Sequence, residues 1–265
     1  RNVSVSKRTK TNKGIDIVMA IDVSASMLAR DLKPNRLEAL KKVATEFVNQ
    51  RPNDRIGIVV YAGESFTKTP ITSDKRIVRN TISEIKWGQL EGGTAIGMGL
   101  GSAVNRLKES KAKSKVIILL TDGVNNTGFV DPKTATELAV GLGIKVYTIG
   151  LGTNGMAPYP FKTRFGTTSY QNVEVKIDEK TMKEIAKMTG GKYYRATNNR
   201  SLKKIYEEID QLEKSNDERA KTYEDKIYEL THELKVKTRE AHKLTNKNED
   251  YYAKYIKAEN NKKVA

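Results

Sequence analysis

Gly14-Ile15-Asp16-Ile17-Val18-Met19-Ala20-Ile21-Asp22-Val23-Ser24-Ala25-Ser26 decides how the rest of the chain is read. Its first half is apolar at nearly every position, the pattern of a strand buried on both faces of a parallel sheet. Its second half places one carboxylate and two hydroxyls in a tight loop where that strand ends. Three further runs repeat the apolar pattern, at 55–61, 115–120 and 144–149, and Lys192-Tyr193-Tyr194-Arg195-Ala196 reads as a last strand. Helical periods fill the gaps. Asn35 caps a segment carrying Leu37, Leu40, Ala44, Phe47 and Val48. Ser73 to Lys86 brings Ile77, Val78, Ile82 and Ile85 to one face, and Ala95 to Leu107 and Thr134 to Leu142 supply two more helices. Another helix starts near Asn199. Strands alternating with helices predict an α/β fold: a doubly wound, mostly parallel sheet with helices on both faces. The segment 153–175, with Pro158, Pro160, Phe161, Phe165 and Tyr170, lacks helical periodicity and reads as a long loop, either functional or part-ordered.

In an open parallel sheet, ligands bind outside the carboxyl ends of the strands. Candidate donors lie in three segments, each at a strand–helix junction. Asp22-Val23-Ser24-Ala25-Ser26 follows the first strand, Thr121-Asp122-Gly123 follows the run at 115–120, and Gly92-Gly93-Thr94-Ala95 precedes a helix. A serine-rich turn alone is usually a helix cap. Three oxygen-bearing junctions in one chain point instead to a cation site. Its donors are hard oxygens, suited to Mg²⁺ or Mn²⁺ and poorly suited to zinc or copper.

These residues resemble the metal-ion-dependent adhesion site of the von Willebrand factor A family, over residues 14–214. The resemblance implies a Rossmann-like fold and a divalent metal held by Asp22, Ser24, Ser26, Thr94 and Asp122. An open position on that metal would accept a carboxylate from a protein partner. Within the family, the run from Asp16 through Met27, then Pro34-Asn35-Arg36-Leu37, is similar to the bacterial aerotolerance (Bat) group. So are the segments 152–155, 175–179 and 188–193. That likeness implies a parent protein anchored in the bacterial inner membrane on both sides of this domain, its periplasmic face slightly favoured. Residues 1–13 would then be a basic lead-in after an anchor. Other Bat proteins and a MoxR-type AAA+ ATPase are the implied partners.

Other functions fit less well. Gly150-Leu151-Gly152-Thr153-Asn154-Gly155 has dinucleotide-fingerprint spacing, yet Pro158 and Pro160 follow where a phosphate-binding helix should begin. Asp22 resembles the nucleophile position of haloacid dehalogenase-type phosphohydrolases, but Ser24 replaces their second acid. The two histidines, His232 and His242, lie in the tail and cysteine is absent, so no enzyme is expected. The net charge of +16 hints at nucleic acid. The basic residues are scattered among acids without a recognition motif, so a solvated basic surface is the reading and nucleic acid is not an expected partner. No run approaches the roughly 18 apolar residues of a membrane helix, so the chain as given is expected to be soluble.

From residue 215 the pattern changes. Ala220, Ile227, Leu234, Ala241, Asn248 and Tyr255 share one heptad position. Tyr223, Leu230, Lys237, Leu244, Tyr251 and Ala258 share the other. Residues 215–265 are therefore expected as a long helix or coiled coil, self-associating through 220–258 and spanning about 58 Å there. The competing reading is a scaffold driven by that coiled coil, with an incidental metal site.

Overall fold

The computed structural model describes residues 14–164 and 167–262; the lead-in at 1–13 lies outside them. The chain divides into two compact units, Arg1–Asp210 and Gln211–Ala265. The first is built on a six-stranded sheet. Its strands are β1 (Asp16–Asp22), β2 (Arg55–Tyr61), β3 (Ser65–Thr72), β4 (Lys115–Thr121), β5 (Lys145–Leu151) and β8 (Tyr193–Ala196). Their spatial order is β3-β2-β1-β4-β5-β8, all parallel except the antiparallel edge strand β3. The α-helices among the described residues are α1 (Arg36–Asn49), α2 (Lys75–Glu84), α3 (Ile96–Leu107), α4 (Pro132–Gly141), α5 (Glu179–Met188) and α6 (Asn199–Lys262).

The apolar run of β1 is buried along its whole length because both faces of the sheet are covered. Ile17, Met19 and Ile21 face one layer, with Leu40, Phe47 and Val48 of α1 and Leu202, Ile205, Tyr206 and Ile209 of α6. Val18 and Ala20 face the other, with Leu100, Ala103 and Val104 of α3 and Ala135 and Ala139 of α4. Short polar side chains start the helices. Asn35 accepts from the Glu38 amide at 2.8 Å, and Asp74, Asp131 and Asp178 cap α2, α4 and α5.

Three stretches depart from the sequence reading. The segment 153–175 is ordered backbone rather than a loop. It forms an antiparallel ribbon of β6 (Gly155–Lys162) and β7 (Thr168–Val175) beside the main sheet. Prolines are tolerated because each strand of a two-stranded ribbon has an unpaired edge. Strand β3 was not foreseen, since its Ser-Phe-Thr-Lys-Thr-Pro-Ile-Thr sequence suits an exposed edge and carries no apolar run. Helix α5 was missed too, for it buries only Met182, Ile185 and Ala186.

The second unit is helical throughout its described residues, as the continuation of α6. Its apolar residues Tyr223, Ile227, Leu230, Leu234 and Leu244 are all exposed. Side chains from Tyr255 onward fall outside those described. Among the described residues no helix is long and apolar enough to cross a membrane.

Candidate metal centre

The strand order reverses direction of winding at β1, which lies between β2 and β4. At such a switch point the loops after two neighbouring strands splay apart and leave a crevice. Asp22 ends β1, and Asp122 directly follows β4. Both carboxylates are buried, at 0% and 1% exposure, which decides the electrostatics of the site.

Past Asp22 the chain turns sharply into a 3-10 turn at Ala25–Leu28. The turn is held by the Ser24 amide, which donates to Asp22 Oδ1 at 2.8 Å. Asp22 Oδ2 accepts from the Thr121 hydroxyl at 2.6 Å, tying the ends of β1 and β4 together. The Ser24 and Ser26 hydroxyls lie 3.0 Å apart, and Ser26 Oγ donates to Asp122 Oδ1 at 2.6 Å. Ser24, Ser26 and Asp122 are thus linked in one chain of oxygens, with Asp22 bracing it from behind.

Thr94 arrives on a separate loop. Its amide donates to Asn126 Oδ1 at 2.9 Å, and its carbonyl accepts from the Asn126 amide at 3.0 Å. The Ile96 amide donates to Asn125 Oδ1 at 2.8 Å. The Thr94 hydroxyl sits beside Gly123, where an added Cβ would come within 3.1 Å of Thr94 Oγ1. The five residues singled out from the sequence therefore gather at one place. Asn125 and Asn126, which position Thr94, were overlooked; their signal was an Asn pair directly after Thr121-Asp122-Gly123-Val124.

Arg36 was overlooked as well. It heads α1, yet its side chain is fully buried, and Nη1 donates to Asp122 Oδ2 at 2.8 Å. Its Nε and Nη2 grip Asp31 at 2.7 and 2.6 Å. In sequence it stood next to a helix cap, where an arginine normally faces solvent.

Burial pushes the Asp22 carboxyl up to about 7, and the negative charge of Asp122 adds to the rise. Asp122 is also raised by burial, against the pull of Arg36. Burial, and then the charge of Asp122, raise the Tyr159 hydroxyl on β6. Two buried carboxylates thus share one crevice with one guanidinium, an arrangement a cation relieves. The donor set fits a small hard cation: two carboxylates, with neutral hydroxyls from Ser24, Ser26 and Thr94. Among the described residues no three His, Cys, Asp or Glu side chains gather to hold a metal, so any ion here leans on hydroxyls.

The chain is 35% identical over 194 residues to an uncharacterized protein of Borreliella burgdorferi, covering 73% of this chain and 57% of that protein. It thus spans little more than half the length of that relative. The solved structure of the conserved hypothetical protein BatB from Bacteroides thetaiotaomicron is similar at 33% identity and a TM-score of 0.67. That match covers 76% of this chain and 100% of that one. An aerotolerance-related membrane protein from Bacteroides fragilis, carrying several mutations to serine, matches at 30% identity and a TM-score of 0.64. Coverage there is 75% of this chain and 98% of that one. At the level of fold alone, proximal thread matrix protein 1 from the mussel byssus, solved with a zinc-occupied MIDAS motif, matches with a TM-score of 0.58. It is 23% identical, over 75% of this chain and 45% of that one. A model of the von Willebrand factor type A domain matches residues 16–208, which run from the first strand through the three loops of the site. The chain belongs to the von Willebrand factor type A domain family.

Proposed function

We propose that the first unit binds one divalent cation through Asp22, Ser24, Ser26, Thr94 and Asp122 and uses it to hold an acidic side chain of a protein partner. The observation that carries this reading is the run of oxygens Ser24–Ser26–Asp122, braced by the buried Asp22 at the switch point of the sheet. The cation proposed is Mg²⁺ or Mn²⁺, because no nitrogen or sulfur donor stands among the five residues. The zinc found in the mussel protein's MIDAS motif makes cation choice part of the test. When bound, the ion would supply Lewis acidity toward a carboxylate oxygen. The residues of the chain fix the donor oxygens, bury both carboxylates and restrain their charge.

Binding rather than turnover is the role proposed, since the first unit holds no histidine or cysteine to act as a positioned base or nucleophile. The likeness to BatB and to the Bacteroides fragilis membrane protein supports a place in a membrane-associated Bat-type assembly. Other Bat proteins and a MoxR-type ATPase are the first partners to try.

Titration calorimetry with Mg²⁺ and Mn²⁺ should show one site that Asp22→Ala abolishes. Pull-downs with other Bat proteins should then succeed in Mg²⁺ and fail in EDTA. Cation binding that persists unchanged in Asp22→Ala would sink the site assignment. Capture that survives EDTA would sink the metal-dependent contact.

A further inference from the structure

Arg36 is tied into more than the metal loop. Its guanidinium is clamped between two carboxylates, with Nη1 on Asp122 Oδ2 at 2.8 Å and the Nε/Nη2 fork on Asp31 at 2.7 and 2.6 Å. Asp31 is anchored in turn: its Oδ2 accepts from the Thr153 amide at 2.9 Å and its Oδ1 from the Leu32 amide at 3.1 Å. Gly152 backs the guanidinium so closely that an added Cβ would lie 2.2 Å from Arg36 Nη2. Asp122 therefore uses its two oxygens in opposite directions. Oδ2 is held by Arg36, and Oδ1 is left for Ser26 at 2.6 Å.

The charges have a consequence. Asp22, Asp122 and Asp31 set against Arg36 leave a net of two negative charges, the amount one divalent cation neutralises. Without Arg36 the loaded cluster would keep a negative charge and repel an incoming carboxylate. With it, the loaded site is neutral, and an anion on the open side meets no excess repulsion. Inside a buried cluster this difference is large, because Coulomb interactions are weakly screened there.

We propose that Arg36 is a resident counter-ion of the cation site: it positions Asp122 and weakens the grip on the metal so that an acidic partner can be accepted. This rests on the metal-binding reading above. Arg36 touches neither the proposed ion nor the partner; it acts through Asp122 and is a positioning residue.

The sign of the effect separates this role from a structural one. A residue that merely supports the fold should weaken cation binding when lost. A counter-ion should strengthen it. Calorimetric titration of Mg²⁺ and Mn²⁺ into the full chain should show Arg36→Gln binding about tenfold more tightly than the parent, with a lower melting temperature. Arg36→Lys, which keeps the charge and loses the fork, should melt lower yet stay within about threefold of the parent affinity. Asp31→Asn leaves the arginine charge undivided and should bind roughly threefold more weakly.

Should Arg36→Gln fail to fold, the double variant Asp31→Asn/Arg36→Gln places two neutral amides face to face, and it must bind more tightly than Asp31→Asn alone. Equal or weaker binding by the folded Arg36→Gln variant, or by the double variant relative to Asp31→Asn, overturns the proposal while Asp22→Ala still abolishes binding. A parent chain that binds no cation at all would instead remove the metal reading, and this proposal with it.

Discussion

At the scale of single residues, the proposed function and stability pull against each other at Asp22. Its carboxylate is fully buried, faces the charge of Asp122, and is pushed up to about 7 by burial and that charge. Asparagine is nearly the same shape, can still accept the Ser24 amide, and carries no charge to desolvate. Asp22→Asn should therefore stabilise the metal-free protein at neutral pH by roughly 1 to 2 kcal/mol while removing its response to Mg²⁺. Thermal melts with and without Mg²⁺ check both halves, and a destabilised, still responsive variant would contradict the reading. Gly152 makes the converse case. It sits at φ +99, and a Cβ there would collide with the Arg36 guanidinium. Gly152→Ala should cost roughly 2 kcal/mol or more and alter cation affinity from a position outside the five proposed ligands. Chemical denaturation followed by titration measures each. Much of the site was legible at this scale, because Asp-x-Ser-x-Ser and Thr-Asp-Gly carry their chemistry in neighbouring residues. Arg36 and Asp31 were not, because their role depends on a guanidinium turning inward from a helix start, which local sequence does not show.

At the scale of elements, legibility followed burial. Strands covered on both faces write themselves as apolar runs, so β1, β2, β4 and β5 stood out. Elements with one or no covered face left fainter traces, as β3, α5 and the β6–β7 ribbon show. The ribbon is held by a small apolar cluster of Ala29, Ala157 and Val175, with Val173 against it. The Arg30 amide also donates to the Pro158 carbonyl at 2.9 Å, and the Arg30 guanidinium lies 4.1 Å from the centre of the Tyr170 ring. Two strands with so small a core are marginal by themselves. Amides of β6 and β7 should therefore exchange with solvent orders of magnitude faster than those of β1 and β4. Ala157→Asp buries an unpaired charge in that cluster and should speed the ribbon's exchange about tenfold or more, with little change in the main sheet. Exchange followed by mass spectrometry reports each region separately. Uniform protection across ribbon and sheet would show that the ribbon belongs to the main folding unit.

At the scale of the whole molecule, the two units differ in what their surfaces leave uncovered. The chain carries 48 Lys+Arg against 32 Asp+Glu, but residues 215–265 hold 12 against 10, so the excess belongs to the first unit. A helix with nearly balanced charge and neither Gly nor Pro is compatible with standing alone or with pairing. Its apolar residues decide between these. Ile227, Leu230, Leu234 and Leu244 are more than half exposed, and Tyr223 is 69% exposed. They repeat at heptad spacing, which concentrates them on one seam, whereas scattered residues would need no explanation. A second copy of the same helix is the partner whose heptads must match. Lys237 and the alanines weaken that seam, so the association should be modest and dependent on concentration. Sedimentation equilibrium should find the full chain self-associating and a head ending near Lys214 monomeric. Leu230→Asp/Leu234→Asp should return the full chain to a monomer and lower its helical circular dichroism, since a long helix gains little from intrinsic propensity alone. The same variant should leave Mg²⁺ binding intact, because every proposed ligand lies in the first unit. A full chain that stays monomeric throughout the accessible concentration range, with helicity unchanged by the double substitution, would reduce the tail to a solvated charged helix and withdraw the scaffold reading.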